Sequence, residues 1–212
     1  MAPAAPRTPK SSDSSAEMLA ALPGFDDVQM AAVRIAGKAL RTPIIENPAL
    51  NELLGGRILI KPECLQRTGS FKFRGAFNRI SQLGLDAREG GVVAYSSGNH
   101  AQGVAAAGSM LGIKTRIVMP EDAPPAKIEN TRRLGGEPVL YDRYNGDREQ
   151  IARGLAEEAG AELVPSYEHV GIIAGQGTVG LELMHQANAL SMVPDQVLIC
   201  CGGGGLSSGS AI

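Results

Sequence analysis

From Phe25 onward, short β-branched runs alternate with helix-periodic segments, and glycine or proline marks each break. This alternation constrains the fold most. Strands joined through helices pair in parallel, and a parallel sheet must be covered on both faces. Apolar spacing and end signals predict helices over 26–40, 70–84, 101–111, 124–135, 148–159 and 179–189. Ser70 is the expected cap of the second helix, which carries Phe73, Phe77, Ile80 and Leu83, and Asp147 with Gln150 forms a capping box on the fifth. Strands are expected over 57–61, 92–95, 115–119, 139–141, 162–164 and 196–200. The class is α/β.

Composition narrows the possibilities. A chain of 212 residues, 43% hydrophobic, has enough apolar surface for one large or two small domains. It has no uninterrupted apolar run of the roughly 18 residues a membrane span needs. With 20 basic and 22 acidic side chains and no long basic run, nucleic acid is not an expected partner. Cys64, Cys200 and Cys201 form no disulfide framework and fit free thiols in a reducing cytoplasm. Residues 1–16 show no periodicity and no signal-peptide core, and are expected to be a disordered tail. Glycine is the outlier: 27 residues, about 13% of the chain, against an ordinary ~7%. Clustered as it is, glycine points to loops where backbone must approach something closely.

Three loops carry candidate chemistry. In the first, Gly202, Gly203, Gly204, Gly205 and Leu206 lie between an expected strand and an expected helix. Such a turn offers unobstructed N–H groups at the positive end of a helix, which suits a phosphate. It has no Walker lysine and lacks the dinucleotide-fold spacing. In the second, Ser96, Ser97, Gly98, Asn99 and His100 sit at another strand-to-helix turn, suited to a carboxylate, with Asn99 able to bond a ring substituent. His100 has no metal-ligand spacing to His169 or His185. In the third, Lys72 lies in the first turn of an expected helix beside Phe71 and Phe73. The helix dipole and apolar neighbours there favour the neutral amine that a Schiff base requires. The three together ask for one ligand with an aldehyde, a polar ring group and a phosphate. Pyridoxal 5′-phosphate has all of these, and an α-amino acid joined to it adds a carboxylate.

Five blocks appear in a fixed order: Lys61-Pro-Glu-Cys-Leu-Gln66, Gly69-Ser-Phe-Lys-Phe-Arg-Gly-Ala76, Ser96-Ser-Gly-Asn-His-Ala-Gln-Gly103, Ala174-Gly-Gln-Gly-Thr178 and Gly202-Gly-Gly-Gly-Leu206. Over residues 26–212 the chain resembles the serine/threonine dehydratase and serine racemase family of fold-type II pyridoxal-phosphate enzymes. The resemblance implies a two-lobed, tryptophan synthase β-like architecture of parallel sheets with helices on both faces. Residues 17–69 and 167–212 would build the large cofactor-binding lobe, and 70–166 the small mobile lobe. It implies that Lys72 is covalently joined to the cofactor and later takes the substrate's Cα proton. Phe71 would pack beside the cofactor ring, Asn99 would contact its hydroxyl, and Gly202, Gly203, Gly204, Gly205 and Leu206 would hold its phosphate. Ser96, Ser97, Gly98, Asn99 and His100 would form the substrate-carboxylate loop. Ser97 would also be an acid/base on the opposite ring face, and Arg148 a substrate-side arginine.

The implied activity is an ammonia-lyase that dehydrates a β-hydroxy amino acid (threonine, serine or 3-hydroxyaspartate) to a 2-oxo acid and ammonia, with serine racemisation as a side activity. The complete form is expected to be a homodimer acting on small molecules. The divalent-cation site of racemase-like members would lie beyond Ile212, so no metal ligand is assigned. Because the family normally continues past the glycine loop, the C-terminal lobe is expected to be incomplete. Two alternatives stay open: a non-catalytic fragment or subunit of such an enzyme, and a β-replacement enzyme of the cysteine synthase type. Phe71-Lys-Phe-Arg74 and the four plain glycines favour elimination over replacement.

Overall fold

In the computed structural model, residues 22–212 are described; the expected 1–16 tail and the first few residues of the expected large lobe lie outside the described residues. The first helix, α1 (Phe25–Ile35), ends before Leu40, where the chain turns and Gly37 takes a φ of 69°. Next come β1 (Ile45–Glu46), α2 (Pro48–Leu54) and β2 (Leu59–Ile60). The expected 57–61 strand is thus two residues long and pairs antiparallel with β1, Ile45 opposite Ile60. Helix α2 is not among the helices that apolar spacing predicts. Its end signals are nonetheless present: Asn47 caps it, accepting from Ala49 and Leu50 at 3.0 and 3.2 Å, and left-handed Gly55 ends it.

Two short 3₁₀ turns lead into α3 (Lys72–Ser81). The chain then runs α4 (Leu85–Gly90), β3 (Val92–Tyr95), α5 (Asn99–Leu111), β4 (Thr115–Pro120), α6 (Pro125–Arg133), β5 (Glu137–Tyr141), α7 (Arg148–Ala159) and β6 (Glu162–Leu163). Two more helices follow, α8 (Val170–Ala189) and α9 (Gly205–Ala211). Asp147 caps α7, accepting from Glu149 and Gln150.

The main sheet has the order β5-β4-β3-β6 and is parallel throughout, with Val92 opposite both Thr115 and Glu162. Strand alternation sends Val92, Ala94, Ile117 and Met119 to one face, where they pack with Phe73, Phe77 and Ile80 of α3 and Val104 of α5. Val93 and Val118 face the other way, onto Ala152 and Ala156 of α7. Both faces are covered, as a parallel sheet requires.

Two expectations are corrected. Residues 196–200 form no strand: they pair with no strand among the described residues, and Leu198 is 93% exposed. A strand exists only through backbone bonds to a neighbour, so apolar sequence alone is not enough. Helix α8 begins at Val170, nine residues before the expected start. Its glycines read as breakers, but they are contact points. A Cβ on Gly175 would lie 2.6 Å from the Gly75 Cα of α3, and one on Gly177 would lie 2.4 Å from the Gly209 carbonyl oxygen of α9.

His100, although part of a candidate loop, is also a fold residue. Its ring is 3% exposed and its Nε2 lies 3.0 Å from the Val164 carbonyl oxygen. A carbonyl only accepts, so Nε2 carries the proton. Burial, opposed by that bond and aided by nearby Lys72, lowers the His100 pKa from 6.5 to about 4.

Packing and burial each generate a test. Gly154 is exposed on α7 with nothing near its missing Cβ. Gly154→Ala should therefore raise the melting temperature by ~2–4 °C, while Gly175→Ala should lower stability by about 1–3 kcal/mol through overpacking. Calorimetry of both variants checks the pair. For His100, the unfolded chain binds a proton at a pH where the folded chain does not. Its contribution is full above the unfolded value of 6.5 and is lost as pH falls toward 4, a total of roughly 3 kcal/mol. Denaturant titrations across that window should show a shallower pH dependence in His100→Gln.

Candidate functional site

The approach to α3 is tightly held. Thr68 and Gly69 both take left-handed backbone (φ 65° and 73°) and turn the chain into extended Ser70. The Ser70 hydroxyl accepts the Lys72 N–H at 3.4 Å, close to its expected capping role, and Lys72 is the first helical residue. Two residues on, Arg74 is completely buried. Its guanidinium donates to both Glu63 oxygens at 2.8 and 2.9 Å, to both Glu182 oxygens at 2.8 and 2.9 Å, and to the Leu40 carbonyl at 3.2 Å. Burial opposes the charge, but these bonds outweigh it and raise the Arg74 pKa. Lys61 completes the cluster, donating to Glu182 at 2.7 Å and to Gln186 and the Thr42 carbonyl at 2.8 Å. On Lys61 the balance is reversed: burial outweighs the Glu182 pair and lowers its pKa.

The Lys72 ammonium donates to the Ser166 carbonyl at 2.8 Å and lies 5.5 and 6.0 Å from the Phe71 and Tyr167 ring centroids. Burial lowers its pKa, toward the neutral amine expected at a helix start beside Phe71 and Phe73. Lys72 lines a cavity of about 110 Å³ together with Phe71, Tyr167, Gln176 and the turn formed by Gly202, Gly203, Gly204, Gly205 and Leu206. Gly204 has a φ of 86°. A Cβ on Gly203 would fall 2.3 Å from the Tyr167 ring, whereas Gly202 and Gly204 face open space. Backbone N–H groups over 202–207 reach no protein acceptor among the described residues, and α9 begins within the turn at Gly205. A lysine amine held toward its neutral form can attack an aldehyde, and a row of free N–H groups can hold a phosphate. The donor set and the open space fit a ligand carrying both groups.

The second candidate loop divides. Ser96 and Ser97 line a larger cavity of about 490 Å³ with Arg148, Arg143 and Asp147. Arg148 stacks over Tyr95, 5.5 Å from its ring centroid. The Ser96 hydroxyl accepts the Gly98 N–H at 3.2 Å, and no side chain caps α5. The N–H groups of Asn99, His100 and Ala101 are thereby left without a protein acceptor among the described residues. Asn99 is exposed and lines neither cavity, and the His100 ring is turned into the core. The structure thus joins Phe71 and Lys72 to the glycine turn, and Ser97 to Arg148. Sequence reasoning missed Tyr167 and Gln176 at the first cavity. Gln176 sits inside a recognised block, but only the α3–α8 crossing reveals which way it faces.

The sequence pattern described as "Pyridoxal-phosphate dependent enzyme" matches residues 35–212. An L-threo-3-hydroxyaspartate ammonia-lyase of a Pseudomonas species is 49% identical over 191 residues, 90% of this chain and 59% of the relative. A serine racemase of Schizosaccharomyces pombe is 44% identical over 191 residues, 90% of this chain and 58% of the relative. Among solved structures, a T.th. threonine deaminase superposes with a TM-score of 0.82 at 46% identity, over 89% of this chain and 60% of that one. Maize serine racemase gives 0.84 at 38% identity, over 90% and 56%. The chain therefore spans under two thirds of the length of these relatives. Its sequence pattern, its fold and the lysine facing a four-glycine turn agree: the chain belongs to the pyridoxal-phosphate dependent enzymes, in the fold-type II family of threonine dehydratases, serine racemases and hydroxyaspartate lyases.

Proposed function

We propose that this protein contributes the lysine and phosphate-holding parts of an ammonia-lyase that dehydrates a β-hydroxy α-amino acid to a 2-oxo acid and ammonia. The observation that carries the reading is the shared cavity of Lys72 and the four-glycine turn, with burial holding the lysine pKa low. When bound, pyridoxal phosphate supplies the electron sink that makes the substrate Cα–H acidic. Lys72 would anchor it and would take the Cα proton at Nζ. The free N–H groups over 202–207 would hold the phosphate, and Phe71 and Tyr167 flank the amine. Free N–H groups at the start of α5 orient the substrate carboxylate, with Ser97 and Arg148 on the same cavity. Asn99 lines neither cavity, so its contact with the cofactor hydroxyl would require the 70–166 unit to close as a mobile lobe. The substrate is drawn from threonine, serine and 3-hydroxyaspartate, the compounds in its relatives' names. A homodimer of the complete form is proposed from the family resemblance alone.

Borohydride reduction in the presence of pyridoxal phosphate should fix the cofactor on the peptide containing Lys72. Lys72→Ala should lack both the adduct and the visible absorbance, and lose about 10²–10⁴ in turnover if proton transfer is its role. A wild-type protein that stays colourless, or an adduct elsewhere, overturns the reading. Ser97→Ala should abolish racemisation of L-serine while leaving 2-oxo acid release measurable. Chiral chromatography alongside a ketoacid assay reads both, and unchanged racemisation removes Ser97 from the proton path. Adding a thiol acceptor to the same assay should leave 2-oxo acid as the product, since a replacement enzyme would form a thioether.

A further inference from the structure

Gln176, which lines the Lys72 cavity, has a buried side-chain atom without a partner among the described residues. The residue is 1% exposed, and its Nε2 group reaches no acceptor among the described residues. Its Oε1 accepts the Gly75 N–H at 3.3 Å. That bond sets the orientation of the amide, because the flipped amide would face one donor with another. Gly75 also makes room for it: a Cβ there would fall 2.5 Å from Nε2 and 2.8 Å from the Ile172 carbonyl oxygen. Buried donors without partners are rare, and each one calls for a specific reason.

We propose that Gln176 is a ligand-contact residue of this cavity, its free amide N–H reserved for an oxygen of the bound cofactor. The inference rests on reading the cavity as the pyridoxal phosphate site. It adds to that site a residue on α8 that the glycine turn and Lys72 do not account for. In the ligand-free protein the donor is a cost to the fold, and on binding it becomes a specific hydrogen bond. Gln176 thereby couples the α3–α8 crossing to occupancy of the cavity.

Gln176→Met keeps length and volume and removes the donor, together with the oxygen that accepts the Gly75 N–H. Titration with pyridoxal 5′-phosphate, followed by visible absorbance, should show affinity about tenfold weaker than wild type, the loss of one hydrogen bond. The ligand-free melting temperature should stay within ~2 °C, since a long 3.3 Å bond is exchanged for relief of an unpaired donor. A purely structural role predicts the reverse: a lower melting temperature with unchanged affinity. A second readout comes from the side-chain amide NMR signals of Gln176, identified by their loss in the variant. They should shift when pyridoxal 5′-phosphate is added to wild-type protein. Wild-type affinity in Gln176→Met, or amide signals that do not move, overturns the inference. If both melting temperature and affinity fall, the amide shift decides between the two roles. A wild-type protein that develops no visible band removes the cofactor-site reading itself, and this inference with it; a normal band with an indifferent Gln176 removes this inference alone.

Discussion

Arg74 is the interaction on which the rest of the arrangement depends. A guanidinium with no solvent exposure joins the 3₁₀ turn at Glu63, the chain leaving α1 at Leu40 and helix α8 at Glu182. Removing one partner of such a pair leaves a buried charge uncompensated, typically at a cost of about 3–5 kcal/mol. Lys72 is two residues away on the same helix, so its position follows from the clamp. The ionic cluster lies beside the proposed chemistry and takes no part in it. It fixes the helix that carries the amine.

Glycine is the second constraint, and it serves two purposes. Within helices, Gly75, Gly175, Gly177 and Gly209 let α3, α8 and α9 approach until backbone meets backbone. In the turn before α9, glycine leaves N–H groups uncovered and lets Gly204 adopt a left-handed φ. The close helix crossings bring Lys72, Gln176 and the turn around one small cavity. Helices separated by larger side chains would leave the lysine and the glycine turn too far apart to hold one ligand.

Much of this was legible in the sequence. The alternation of strand and helix patterns fits the four parallel strands, because a 2-residue period and a 3.6-residue period are local properties. Lys72 at a helix start and the glycine turn before a helix were legible for the same reason. The start of α8 was not, because helix propensity counts glycine as a breaker while the crossing with α3 rewards its missing side chain. The 196–200 segment departs in the opposite direction: its apolar residues suit a strand that no described neighbour completes.

Residue types, their spacing and their end signals set the class of the fold, the amine at position 72 and the row of glycines, all of which depend on contacts a few residues apart. Which side chains meet was decided by packing across long separations. Examples are Arg74 with Glu182, the His100 ring turned inward onto Val164, and Gln176 at the Lys72 cavity, its amide buried at the α3–α8 crossing with one half of its hydrogen bonding unmet among the described residues. A charge, a ring or an amide takes its role from the dielectric and the partners around it, and those exist only once distant segments have come together.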